Sequence, residues 1–148
     1  MVAIGSDHGG YKLKEEIKKY LKEKNIEFKD FGSENEERVD YPDIASKVAK
    51  SIQLKETEKG ILICKTGIGM SIAANKYKGI RCALCYNEET AKNYRVHNDS
   101  NILALGADQY TENEAIVMVR IWLASKYEGE RHKYRLDLIE QIEKENMK

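Results

Sequence analysis

Short, almost uninterrupted apolar runs alternate along this chain with longer stretches in which apolar residues recur every three or four positions. That alternation predicts parallel strands joined by crossover helices, about five of each. Val2–Gly5 reads as the first strand and Gly9–Lys24 as a helix, with Leu13, Ile17, Tyr20 and Leu21 at helical spacing and its lysines and glutamates turned to water. Glu27–Phe31 gives a second, edge-like strand, and the polar stretch Gly32–Asp40 a loop. Pro42 suits the first turn of a helix that continues through Ile44, Ala45, Val48, Ala49 and Ile52. Ile61–Cys64 is the third strand, and the turn Thr66-Gly67-Ile68-Gly69 feeds a helix over Met70–Lys76. Ile80–Leu84 is the fourth strand, Glu88–Tyr94 a helix and Ile102–Leu105 the fifth strand. Thr111 and Glu114 form a capping box for a helix running through Trp122, and a last helix covers Arg131–Glu145.

With no internal repeat, low-complexity tract or Gly/Ser/Pro-rich linker, a second domain has nowhere to begin, so residues 1–148 are expected to form a single domain. The predicted class is α/β: a three-layer α/β/α, Rossmann-like (flavodoxin-like) unit on a five-stranded parallel sheet. A strand order of 2-1-3-4-5 is the expectation among the doubly wound options. In such folds ligands bind beyond the carboxyl ends of the strands, at the switch between strands one and three.

Charge narrows the choice of partners. The 25 basic and 25 acidic side chains cancel, so nothing steers the whole chain toward nucleic acid or an anionic membrane, and any anion site must be local. No window approaches the roughly 18 consecutive apolar residues of a membrane span, and Met1–Asp7 lacks the basic and apolar regions of an export signal. Cys64, Cys82 and Cys85 are odd in number and lie in apolar runs, which predicts free thiols in a reducing, cytoplasmic setting. The spacing of Cys82 and Cys85 resembles a redox pair, but residues three apart on a strand face opposite ways, and both are expected to be structural.

Two loops carry the candidate chemistry: Gly5-Ser6-Asp7-His8-Gly9-Gly10 and Cys64-Lys65-Thr66-Gly67-Ile68-Gly69. Each pairs reactive side chains with glycines where a helix begins. Free N–H groups there stabilise a phosphate or a developing oxyanion, and they favour a thiolate that can act as base or nucleophile. A buried hydrophobic role for Cys64 and an ordinary strand-to-helix turn are the bland alternatives. On the last helix Arg131 and Arg135 lie one turn apart on one face, a spacing suited to a phosphate dianion or to a solvated basic surface.

Five blocks carry a resemblance: Gly5-Ser6-Asp7-His8-Gly9-Gly10; Tyr41-Pro42; Cys64-x-Thr66-Gly67-Ile68-Gly69-Met70-Ser71-Ile72-Ala73-Ala74-Asn75-Lys76; His97-Asn98-Asp99-Ser100-Asn101; and Glu128-Gly129-Glu130-Arg131-His132. In this order, over nearly the whole chain, they resemble the type B ribose-5-phosphate isomerases and their lactose-pathway relatives. The resemblance implies interconversion of D-ribose 5-phosphate and D-ribulose 5-phosphate in the non-oxidative pentose phosphate pathway, through a cis-enediolate, with no metal and no organic cofactor. Cys64 would carry the proton between C2 and C1, Thr66 would assist at the hydroxyl oxygens, and Asp7 and His97 would open the furanose ring. The N–H groups of Gly67, Ile68, Gly69 and Met70 would hold the enediolate charge. Asn98 would bind sugar hydroxyls, Tyr41 would pack along the sugar, and His8, Arg131 and Arg135 would contact the phosphate, with His132 a further ligand. Met70, where another branch has a glutamate base, places the chain in the cysteine branch. The resemblance also implies a homodimer at least, with the His97–Asn98 block completing the neighbour's site and a tetramer allowed.

Two positions depart from the family pattern. Lys65 stands where glycine is usual, its side chain expected to turn to solvent unless the ammonium reaches the cleft, and Ala107-Asp108-Gln109 stands where an arginine is common. They keep two alternatives open, a hexose 6-phosphate isomerase (allose or galactose 6-phosphate) and a non-catalytic sugar-phosphate-binding module.

Overall fold

The computed structural model describes residues 1–147. Five strands, β1 (Val2–Ser6), β2 (Phe28–Asp30), β3 (Lys59–Cys64), β4 (Cys82–Leu84) and β5 (Ile102–Gly106), form one all-parallel sheet. Six helices accompany them: α1 (Tyr11–Glu23), α2 (Tyr41–Gln53), α3 (Ile68–Ala74), α4 (Glu88–Val96), α5 (Glu112–Ala124) and α6 (Arg131–Asn146). Successive strand residues point to opposite faces, so each strand feeds two cores. Ile4, Ile61, Ile63, Leu103 and Leu105 meet Leu13, Ile17 and Leu21 of α1 and Val119 and Trp122 of α5. Ala3, Leu62, Cys64, Ile102 and Ala104 meet Ile44 and Val48 of α2 and Met70 of α3. The three-layer α/β/α architecture follows from those two buried faces.

The strand order is β2-β1-β3-β5-β4, which corrects the expected 2-1-3-4-5. β5 is buried at all five positions and pairs on both edges, as an unbroken Ile-Leu-Ala-Leu-Gly run requires. β4 has only three residues, two of them partly exposed, and takes the edge. The chain still reverses direction between β1 and β3, so their carboxyl ends open the crevice.

Local signals explain most element ends. Pro42 sits in the first turn of α2 and the Thr111–Glu114 capping box is formed on both sides. Before α1 the chain makes a 3-10 turn over His8–Gly10, capped by the Asp7 side chain, so the first helix begins two residues later than its periodicity predicts. A second correction concerns Lys14, expected to face water but completely buried. Its ammonium donates to both carboxylate oxygens of Asp30, at 2.9 and 3.0 Å, and to the Ser33 carbonyl. These partners offset the cost of burying the charge.

Cys82 and Cys85 lie in opposite cores, and all three cysteines are buried and free. Burial pushes the Cys82 thiol up to about 12, as expected of an inert structural cysteine. Trp122 is buried and donates from Nε1 to Ser100 Oγ at 2.8 Å, a packing role. Among the described residues no helix is long and apolar enough to cross a membrane.

Candidate active site

At the carboxyl ends of β1 and β3 the two glycine-containing loops interlock. The Asp7 N–H donates to the Ile63 carbonyl at 3.2 Å, tying the end of β1 to the last turn of β3. Asp7 is 7% exposed, and its Oδ1 accepts the Gly10 N–H at 3.1 Å while Oδ2 makes no hydrogen bond to described residues. The following His8 packs against the long loop after β2, with Nδ1 3.3 Å from both the N and the O of Val39. When Nδ1 accepts the Val39 N–H, the ring proton resides on Nε2, which is left to donate outward. Ser33 braces the same loop, its N–H donating to the Ser6 carbonyl at 2.8 Å and its hydroxyl to the Asp7 carbonyl at 3.3 Å. The pair of buried Lys14 with partly exposed Asp30 thus supports the segment that presents Asp7, a link the sequence reading missed. The signal was available, since position 14 borders the stripe of Leu13, Ile17 and Leu21.

Cys64 ends β3, 5% exposed, and its Sγ accepts the Gly67 N–H at 3.2 Å. That geometry needs the left-handed φ of 81° at Gly67, where a Cβ would also stand 2.6 Å from Leu84 Cδ1 and 3.0 Å from the Leu105 carbonyl carbon. Thr66 Oγ1 accepts the Ile68 N–H at 3.2 Å. The N–H groups of Gly69 and Met70 have no acceptor among the described residues, as in any first helical turn without side-chain caps. Tyr41, the first residue of α2, lays its ring over Gly69, where a Cβ would come within 2.7 Å of Cε1 and Cζ. Asp7, His8, Tyr41, Cys64, Thr66 and residues 67–70 therefore belong to one mouth. Its contents are a thiol, a carboxylate, an imidazole donor and two free backbone donors, enough for proton transfer beside a developing oxyanion.

His97, Asn98, His132 and Arg135 gather elsewhere, around a cavity of about 200 Å³ between the end of α4 and the first turns of α6. No hydrogen bond, ion pair or ring contact among the described residues joins this group to the Cys64 mouth. The turn that presents it is held by Asp99, which accepts from Arg95 at 2.9 Å and from Arg81 at 3.3 Å, partners the sequence reading did not single out. The His97 and His132 rings stack with centroids 4.4 Å apart. His132 is buried, its Nε2 has no hydrogen-bond partner among the described residues, and Glu128 Oε2 lies 3.8 Å away. Burial, with His97 and Arg131 beside it, holds the His132 imidazole below its ordinary range and so neutral at neutral pH, against the pull of Glu128. Arg131 and Arg135 are exposed and one turn apart, and Arg131 does not line the cavity.

Lys65 is exposed, as expected, but its stem does not extend freely. Its stem crosses Gly9 of the neighbouring loop, with Cγ 2.5 Å and Cε 3.1 Å from the point a Gly9 Cβ would occupy. Asp108, the other departure, donates its N–H to the Lys65 carbonyl at 2.9 Å, while Ala107 donates to that of Cys64 at 2.8 Å.

A family model described as Ribose/Galactose Isomerase matches residues 2–139. A ribose-5-P isomerase B of Listeria innocua is 45% identical over 98% of each chain. The structure of ribose-5-phosphate isomerase B from Clostridium thermocellum superposes with a TM-score of 0.96 at 49% identity, over 97% of each chain. That of the Mycoplasma genitalium ribose-5-phosphate isomerase B, with bound ribulose-5-phosphate, does so at 0.93 and 40% identity, over 98% of this chain and 97% of the other. With fold and nearly the entire length in agreement, the chain belongs to the ribose/galactose isomerase family.

Proposed function

We propose that this chain is an aldose–ketose isomerase that interconverts D-ribose 5-phosphate and D-ribulose 5-phosphate, with Cys64 as the base. The observation that carries the reading is the placement of Cys64 at the mouth of a central strand, its Sγ 3.2 Å from the Gly67 N–H and followed by the unpaired N–H groups of Gly69 and Met70. The solved relative with bound ribulose-5-phosphate supports the same sugar class. Asp7 and His97 open the ring. The Cys64 thiolate then takes the C2 proton of the open-chain aldose, and the electron pair moves through C1–C2 onto the carbonyl oxygen to give the cis-enediolate. The backbone donors hold that charge while Thr66 passes a proton between the two oxygens, and the thiol returns its proton to C1. His8, Arg131, Arg135 and His132 hold the phosphate, Asn98 the hydroxyls and Tyr41 the sugar face.

That no hydrogen bond, ion pair or ring contact among the described residues joins His97, Asn98 and Arg135 to the Cys64 mouth within one chain supports a homodimer in which each protomer completes the other's site. So does α6, whose Tyr134, Leu138, Ile139 and Ile142 are 47–69% exposed, beside an apolar groove of about 540 Å³ along the edge strand β4. A second copy is the occupant this reading assigns to that groove. Residues 1–148 act as one domain, with α6 serving the phosphate site and the dimer contact, and three buried free thiols suit the cytoplasm.

The test is ketose formation from ribose 5-phosphate, with allose 6-phosphate and galactose 6-phosphate in parallel. Ribose 5-phosphate should be preferred. Cys64→Ala should cut turnover by roughly 10²–10⁴-fold while inorganic phosphate still binds. An unchanged rate in that variant would remove Cys64 as the base, and preference for a hexose phosphate would move the activity to a sister reaction.

A further inference from the structure

Lys65 follows the proposed base directly, yet the mechanism above gives it no task. Its backbone is fixed, the carbonyl accepting the Asp108 N–H at 2.9 Å. Its side chain folds back across the opposite loop into the space left by the missing Cβ of Gly9, and the same point lies 3.4 Å from Asp7 Oδ1. The exposed ammonium, one bond beyond Cε, is thereby held close to the Asp7–Gly10 turn. Among the described residues it has neither an ion pair nor a hydrogen bond, whereas Lys14, Lys18, Lys19, Lys133 and Lys144 are all paired. An unpaired lysine on a protein surface is ordinary; one whose stem is seated across both loops of a site is less so. Seating the stem lowers the entropy lost when the ammonium takes a ligand, so this is a partly preorganised cation awaiting an anion. Length agrees as well, because as many bonds separate C2 from phosphorus in a pentose 5-phosphate as separate Cα from Nζ in lysine. A substrate whose C2 meets Cys64 can therefore run beside the Lys65 side chain and bring its phosphate to the ammonium.

We propose that Lys65 is a substrate-binding residue that recognises the phosphate, supplied by the same protomer as Cys64 and seated by Gly9. The sugar's identity rests on the isomerase reading; the anion site does not.

The experiment measures kcat and KM for ribose 5-phosphate at low and high salt, and the binding of inorganic phosphate by calorimetry, in four proteins. Against wild type, Lys65→Met keeps the stem and removes the charge, Lys65→Arg keeps a cation, and Gly9→Ala puts a methyl group where the stem lies. Lys65→Met should raise KM and the phosphate dissociation constant roughly tenfold, the scale of one charge-assisted hydrogen bond, with kcat within about twofold and a weaker salt dependence. Lys65→Arg should recover most of the loss, and Gly9→Ala should follow Lys65→Met. Thermal unfolding of Lys65→Met at the wild-type temperature excludes a folding defect. Unchanged phosphate binding in Lys65→Met would overturn the proposal, as would a loss confined to kcat, which would put the ammonium on the reacting carbons. A wild type that binds phosphate through Lys65 but does not isomerise ribose 5-phosphate would sink the isomerase reading and leave this assignment standing.

Discussion

Lys14 and Asp30 show how a side chain remote from the chemistry conditions it. The Asp30 carboxylate is partly buried, which pushes its pKa up, but hydrogen bonds from Lys18, Lys14 and the Gly32 N–H outweigh that and hold it below the ordinary 3.8. A carboxylate depressed on folding contributes stability above its unfolded pKa and loses it as pH falls through the folded value. The midpoint of thermal unfolding should therefore drop on acidification from roughly pH 5 to below pH 3, more steeply in wild type than in Asp30→Asn. Identical slopes in the two proteins would show that the pair does not contribute. The burial of Lys14 was only half legible beforehand: its place beside the apolar stripe hinted at it, but its partners are Asp30 and a carbonyl in the Gly32–Asp40 loop, and residue patterns within a helix say nothing about a loop docking on it. Cys64, Thr66 and Asp7, by contrast, stand at strand ends, where the pattern of the class already directs attention.

At the scale of elements, the turn from β3 into α3 depends on Gly67 in two separable ways. Its φ of 81° disfavours any side chain, and a Cβ would strike Leu84 and the backbone of β5. Gly79 has the same φ of 81° but open space around it. Gly79→Ala should thus cost about 1–2 kcal/mol from backbone conformation alone, and Gly67→Ala a further 1–3 kcal/mol or so from overpacking. Denaturant unfolding of both variants checks this; equal losses would remove the close-approach argument. The periodicities that predicted each strand and helix were local signals and survived, with ends moving by a few residues. The order of the last two strands did not, because it depends on which strand needs a neighbour on each edge. The fully apolar Ile102–Gly106 against the partly polar surroundings of a three-residue β4 is the clue, and it concerns burial rather than chain order.

For the whole molecule, the arrangement of the candidate site residues in two groups is the part that motifs read in a line do not convey. Five blocks in sequence order suggest one site, whereas His97, Asn98, His132 and Arg135 line a cavity of their own between α4 and α6, with no hydrogen bond or ion pair among the described residues to the Cys64 mouth. In the homodimer proposed above, two copies of one defective chain remain defective, but two different defects need not. A protomer with Cys64→Ala retains its histidine half, and one with His97→Asn retains its thiol half, so a mixed dimer contains one site built wholly from intact parts and one carrying both lesions. Random reassociation of equal amounts of the two inactive proteins should recover about a quarter of the wild-type activity, the fraction set by C₂ pairing. Recovery after unfolding and refolding together, with none when each is refolded alone, is the expected result; no recovery under conditions that restore wild type would mean that every protomer must supply both halves itself.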